Sequence, residues 1–454
     1  MSPASRTLIR LMNATTPTRR RDIAVFLTGQ TISMFGTFLV SYAVTWHLTL
    51  AYHSGIVQTL AILFGVVPQG LIAIFAGVLA DRVNRRTLIV VSDATIVVAT
   101  VILALIWSSG YDQLWFIYLI LFIRSCGAGV RQPAVSAIIP QLVAEDRLMR
   151  VNGVFQSIMS GIQLVAPIAA GAILGVMPVF VVLWVDVITA TLGIVLVLTI
   201  RIETVRRDGE PQHFLRELGD GFRYTVGHRA LRWVLLLFAA TMLMAAAPAF
   251  LTPLMIARSF GTDVWLLTVN EVAFGIGMMI GGIAIATLAK RIVRQGMLMI
   301  LAAVALGVLS GAMGLAPNIW VFYLFMLLVG LVLPAMFTPA TTLLQTHTEP
   351  SYMGRVFGLV ALTQTIAMPL GMVIFGPLSD TVRIEDLLVV AGALMVVFVV
   401  GVALLPSGRA AWRERTSPAA APESAGEAVL QGIGEAGAAD PLITDVTAPV
   451  PEQP

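Results

Sequence analysis

Five ionisable residues lie deep within otherwise apolar stretches of this chain, and these are the side chains placed to do chemistry. The acids are Asp93, Asp186 and Glu271, and the arginines are Arg124 and Arg131. In hydrocarbon, an ionised acid or arginine costs about 2.5–3.5 kcal/mol on insertion scales, so such groups face protein or water. Asp186 and Glu271 sit a short way in from the same end of their stretches. Each suits a proton carrier or a contact for a cationic solute. Each suits equally well a buried, permanently protonated hydrogen-bonding group. Asp93 lies nearer the other end, beside a charged loop, which fits a gate ion pair better than a solute ligand. Arg124 has three candidate partners: Asp93, Asp186 or a backbone carbonyl.

The charged loop is GVLADRVNRRT, Gly77 to Thr87, set between two long apolar runs. Gly77 permits close helix approach, as small residues do in lipid-embedded bundles. Asp81 follows one turn later, then Arg82, Arg85 and Arg86. Arginines alone would read as a topology signal, but the ordered glycine, acid and arginines are more specific than a basic turn requires.

The surroundings are those of a membrane protein. Of 454 residues, 58% are hydrophobic and 12% charged, and the mean hydropathy is +0.90. A soluble domain carries about 25% charge. The first 22 residues are polar and arginine-rich, and the apolar run after them is too long for a signal h-region, so no cleavable signal is expected. Cys126, the single cysteine, cannot form an intrachain disulfide.

A helix needs about 20 residues to cross a ~30 Å hydrocarbon core. Twelve runs qualify: Ile23–Trp46, Ile56–Leu79, Leu88–Trp107, Leu114–Ala137, Gly153–Val176, Val179–Ile200, Leu231–Leu254, Trp265–Ala289, Gly296–Ala316, Ile319–Leu343, Met353–Leu378 and Asp386–Leu405. They are continuously apolar rather than alternating, which excludes barrel strands. With a cytoplasmic N-terminus, 24 of the 28 Lys and Arg fall in cytoplasmic segments, and only Arg258 and Arg383 fall outside. The bias places both termini inside.

Five segments result: a cytoplasmic arm 1–22, a six-helix bundle 23–200, a linker 201–230, a second bundle 231–405 and a disordered cytoplasmic tail 406–454. In the linker, Phe214, Leu218 and Phe222 share one helical face, the pattern of an interfacial amphipathic helix. A calmodulin-like partner site is the alternative. The halves echo each other: QPAVSAIIPQ then RVNG in the first, TPATTLLQ then RVFG in the second, with Pro167 matching Pro369. Duplicated halves are a transporter architecture with the site at mid-membrane. The loop after span eight, AKRIVRQG, occupies the place of the charged loop but lacks its acid.

The charged loop resembles the loop 2–3 signature of the major facilitator superfamily, GxLaDrxGrR, with Asn84 in place of a glycine. RSCGAG from Arg124 resembles its span-four motif, whose arginine the family links to proton coupling. GIQLVAPIAAG around Pro167 is similar to the antiporter motif, with Ala166 where that motif has glycine. LFIRSCGAGVRQPAVSAIIPQLVAEDRL and NEVAFGIGMMIGG extend the likeness to the macrolide-efflux branch of drug:proton antiporters, from about Arg21 to Leu405.

That resemblance implies an all-α integral membrane protein, twelve transmembrane helices in two six-helix halves. It implies proton-coupled export of amphiphilic small molecules by a monomer in the bacterial inner membrane. Gly77, Asp81, Arg82, Arg85, Arg86, Asp93 and Arg355 would form the cytoplasmic gate. Arg124, Asp186 and Glu271 would serve proton coupling. Gln30, Gln156, Gln163, Asn270 and Gln364 are candidates to line the cavity, and Pro167 and Pro369 to bend helices. A siderophore or metabolite exporter is the alternative, and a non-transporting receptor or scaffold a more distant one. Lys290, the only lysine, lies in no phosphate-binding loop. The five histidines have neither metal-ligand nor catalytic spacing. No metal, cofactor, nucleic acid or enzymatic activity is expected.

Overall fold

The computed structural model describes residues 17–405 except 112, 144, 201–213, 289, 290, 293 and 350. The side chains of 17–20, 74, 77–82, 145, 146, 149 and 214–218 are also outside the described set. The expected C-terminal tail lies wholly outside it, as does most of the N-terminal arm.

Among the described residues every regular element is helical. The first half comprises α1 (Pro17–Tyr52), α2 (Gly55–Arg82), α3 (Arg85–Ser108), α4 (Leu114–Leu142), α5 (Glu145–Leu174) and α6 (Val179–Thr199). A shorter helix, α7 (Phe214–Gly227), leads into the second half. That half comprises α8 (Arg229–Phe250), α9 (Val264–Leu288), α10 (Gln295–Gly314), α11 (Ile319–His347), α12 (Met353–Leu378) and α13 (Ile384–Leu404). All but α7 are long and apolar enough to cross a membrane, giving the twelve expected spans. Several run past the apolar stretch that marked them, α1, α4 and α5 by a turn or more, because a helix need not stop where hydrocarbon stops.

Span seven differs most. Beyond Phe250 it continues through Thr252–Met255 into a π-helical turn, Ile256–Phe260. Gly261, at φ 138°, ends that turn in a region side-chain-bearing residues avoid. The extra turn carries Arg258 to the bundle end remote from the arginine loop.

Where the cores sit defines the shape. One buried cluster at that remote end draws on both halves, from Leu39, Trp46, Leu103 and Leu183 to Leu254, Phe322, Met372 and Leu388. At the arginine-loop end the apolar residues form two separate clusters. One belongs to the first half (Phe26, Ile89, Ile138, Val197) and the other to the second (Trp233, Leu237, Met299, Val399). The halves are therefore fused at one end and parted at the other. The cleft between them opens toward the arginine loop.

The most extensive cross-half contacts at the fused end are α2 against α12 and α5 against α9. Both rely on small residues that bring backbones together. A Cβ on Gly55 would lie 1.9 Å from Ser379 Oγ and 2.2 Å from the Gly376 carbonyl. The Thr59 hydroxyl, nearby on α2, donates to the Met372 carbonyl at 3.2 Å.

The amphipathic α7 packs on the start of α12. Tyr224 stacks on Tyr352 with ring centroids 4.1 Å apart, and its hydroxyl accepts from the Glu349 amide at 3.2 Å. Phe222 remains exposed on another side of α7, as an interfacial helix requires.

Candidate functional site

The intramembrane charges of the first half resolve into two pairs. Arg124 on α4 meets Asp186 on α6 at 2.7 Å, with both side chains almost fully buried. Thr100 on α3 joins them: Arg124 donates to its hydroxyl, which lies 3.3 Å from Asp186 Oδ2. Gly36 on α1 closes the site, since a Cβ there would come within 2.8 Å of Asp186 Oδ1. The second pair sits two turns along α4, where Arg131 meets Asp93 of α3 at 3.3 Å and donates to Ser33 of α1 at 3.2 Å. Seven residues apart, the two arginines project from one face of α4.

The glycines of RSCGAG make this arrangement possible. A Cβ on Gly127 would approach Ile96 of α3 to 2.8 Å, and one on Gly129 would approach the Gln69 carbonyl of α2 to 2.6 Å. With hydrogen there instead, α4 seats between α2 and α3 and holds its arginines within reach of the acids. Each acid spends one oxygen on its arginine. The other oxygens, Asp93 Oδ2 and Asp186 Oδ1, are buried and accept no hydrogen bond.

Of the three partners open to Arg124, the structure selects Asp186. Asp93, expected beside the arginine loop as a gate ion pair, is engaged by Arg131 instead. Arg131 received no role from the sequence beyond its position in a span. Two lone-looking arginines, each near several acids, gave no signal by which to pair them.

At the loop itself, the side chains of Gly77, Asp81 and Arg82 are outside the described residues, although α2 runs to Arg82. Arg85 donates to the Ala137 carbonyl of α4 at 2.7 Å, and Arg86 to the Leu198 carbonyl of α6. Both of these contacts stay within the first half. Asn84 caps α3, its side chain accepting from the Arg86 amide at 2.9 Å. This residue, which departs from the glycine of the resembled pattern, thus has a structural use. Arg355, at the start of α12, lies 5.1 Å from the Tyr352 ring centroid in a cation–π contact.

Glu271 stands apart from the two pairs. It lies on α9, in the second half, and interacts with the Tyr42 hydroxyl of α1, in the first. No described cation reaches it. Gln30 and Asn270 are fully buried, whereas Gln156, Gln163 and Gln364 are exposed. Pro167 and Pro369 both lie inside continuous helices, α5 and α12.

A fourth cluster, which the sequence reading missed, ties the halves together at the fused end. Arg258 and Asp380 form an ion pair at 2.8 Å and together grip the α1–α2 turn. Among the described residues, no group of three His, Cys, Asp or Glu side chains could hold a metal ion.

Comparison with known proteins bears on the fold and the family. The chain is 26% identical over 373 residues to macrolide efflux protein A of Streptococcus pyogenes, covering 81% of this chain and 92% of that protein. It is 25% identical over 324 residues to the multidrug efflux pump Tap of Mycobacterium bovis, covering 67% and 74% respectively. Among solved structures, a bacterial homologue of the iron transporter ferroportin superposes with a TM-score of 0.66 at 17% identity, covering 85% of this chain and 99% of that one. The family model of the Major Facilitator Superfamily matches residues 26–372. Twelve spans in two halves, a cleft between them and this family match lead to one conclusion: the chain belongs to the Major Facilitator Superfamily.

Proposed function

We propose that the protein is a secondary active exporter of amphiphilic small molecules, macrolides among them, driven by proton antiport in a bacterial plasma membrane. The observation that carries this reading is the pairing of a one-sided cleft with buried, arginine-held carboxylates inside the first half. A fixed scaffold has no use for halves fused at only one end. The likeness to a macrolide efflux protein and a multidrug pump supports the substrate class.

With both termini cytoplasmic, the cleft opens to the cytoplasm, the side from which an exporter loads. The protein works as a monomer within the bilayer. Substrate enters between the halves, where Gln156, Gln163 and Gln364 offer uncharged polar contacts among apolar walls. Closure of the arginine-loop end then requires Gly77, Asp81, Arg82, Arg85 and Arg86 to meet the second half near Arg355.

Protons bias the exchange by binding one state better than the other. Asp186 has one oxygen committed to Arg124 and one open for a proton. Protonation removes its charge, weakens its hold on Arg124 and lets α4 shift relative to α6. Glu271 reports to the interface between the halves, because its partner Tyr42 lies across it. One or more protons move inward as one solute molecule moves outward.

The test is a growth-inhibition panel in an efflux-deficient bacterium, comparing wild type with Arg124→Ala at matched membrane expression. Macrolide resistance present in the wild type and lost in the variant supports the reading. A flat panel for both would refute the macrolide assignment and favour a siderophore or metabolite as cargo.

A further inference from the structure

We infer that Asp380 and Arg258 are the latch that holds the fused end shut, and that the latch works by capping a helix across the two halves. It rests on the alternating-access part of the reading above, and not on the identity of the solute or the coupling ion.

The N-terminus of α2 carries backbone N–H groups with no partner inside their own helix. Asp380, just beyond the C-terminus of α12, supplies the acceptor from the other half. Its Oδ1 accepts from the Gly55 amide at 2.7 Å. Its Oδ2 accepts from the Ile56 amide at 3.0 Å and from the Ser54 hydroxyl at 2.8 Å. A carboxylate is also the charge that a helix N-terminus favours.

Arg258 completes the grip. Projecting from the π-helical turn after α8, it pairs with Asp380 and donates to the Ser379 carbonyl within its own half. It also donates to the His53 carbonyl across the interface, through Nε at 3.1 Å. Among the described residues, His53 alone takes a positive φ without being glycine, at 48°. That conformation is uncommon for a side-chain-bearing residue, and here it turns the carbonyl toward Arg258. An extra π turn and an unfavoured backbone angle thus converge on one contact. A connection that merely turned the chain would need neither.

The same helix pair carries the gate expected at the other end. Contacts of Gly55 with Gly376, Thr59 with Met372 and Gly70 with Thr365 fix α2 and α12 as antiparallel neighbours. Asp380 caps α2 when the cleft faces the arginine loop, and opening the fused end must break that cap.

Double electron–electron resonance between spin labels at Val176 and Leu315, exposed on opposite halves at the fused end, reads the latch without any transport assay. Cys126 is first replaced. Wild type should show one short-distance population. Asp380→Asn removes the charge from a charge-assisted cap, so the long-distance fraction should rise about tenfold. Arg258→Gln should raise it too, and Ser54→Ala by less. A second label pair at the arginine-loop end should shorten correspondingly. Unchanged distributions in Asp380→Asn and Arg258→Gln, with both variants folded by thermal unfolding, would overturn the latch. Should Asp380→Asn fail to fold, Arg258→Gln and Ser54→Ala carry the test. Loss of proton dependence in transport would refute the antiport reading while leaving these distances as they are.

Discussion

Replacing Arg124 by alanine isolates the buried pair most cleanly. Arg124 is 9% exposed and Asp186 1%, at 2.7 Å, and Arg131, the other intramembrane arginine, is taken by Asp93. Removing the guanidinium leaves the Asp186 carboxylate buried with Thr100 as its remaining neighbour. Breaking one side of a buried pair costs about 3–5 kcal/mol. Replacing both partners by apolar residues of similar volume is near neutral, since the cost of desolvating two charges disappears with them. Arg124→Ala, and equally Arg124→Leu and Asp186→Leu singly, should therefore unfold well below wild type in detergent, whereas Arg124→Leu/Asp186→Leu should recover most of the loss. The cycle should give a coupling energy of about 3 kcal/mol, at the upper end for residues in direct contact. The double variant should remain folded and membrane-inserted yet export nothing, because its chemistry is gone while its packing is restored. Additive destabilisation by the two single substitutions would refute the pairing as the source of their effect.

Other perturbations follow from the same geometry. Gly55→Val would drive side-chain carbons into Ser379 and the Gly376 carbonyl, so a label pair at the fused end should lengthen; an unchanged distance would contradict the close α2–α12 packing. Asp380 should hold the latch through mild acid. Burial pushes its carboxyl up, but hydrogen bonds from the Gly55 and Ile56 amides, Ser54 and Arg258 outweigh this and hold it below its ordinary 3.8. A depressed folded value contributes stability above the ordinary value and loses it only as pH falls through the lower one. The difference in unfolding temperature between wild type and Asp380→Asn should therefore stay constant from pH 8 to 5; shrinkage in that range would contradict the assignment. Glu271→Gln and Tyr42→Phe should reduce gradient-driven export while sparing downhill solute exchange, measured by counterflow, and equal loss of both would argue for a structural role only.

Much of this fold was legible because membrane insertion imposes its own grammar. Twelve apolar runs, the repeat of QPA and TPA segments, and the Phe214–Phe222 face each reflect one local requirement. Pairing was less legible. Arg124 had three plausible partners, and choosing among them depends on how α3, α4 and α6 rotate about one another, which no single helix encodes. Arg131 was hidden for the same reason. The latch left almost no trace, because Ser54, Arg258 and Asp380 are ordinary turn residues hundreds of positions apart. Hydropathy bounded span seven at Leu254, whereas the chain continues as helix and a π turn that aims Arg258. The sense in which the cleft opens is a property of how the two halves lean together, and hydropathy does not carry it.

The central claim is that solute export is driven by protons, and inside-out membrane vesicles test it directly. Vesicles bearing the protein are given an acid interior, and a radiolabelled macrolide is added outside. The account predicts accumulation that collapses when nigericin dissipates the pH gradient and that is absent with Arg124→Ala. Accumulation indifferent to the gradient would contradict it.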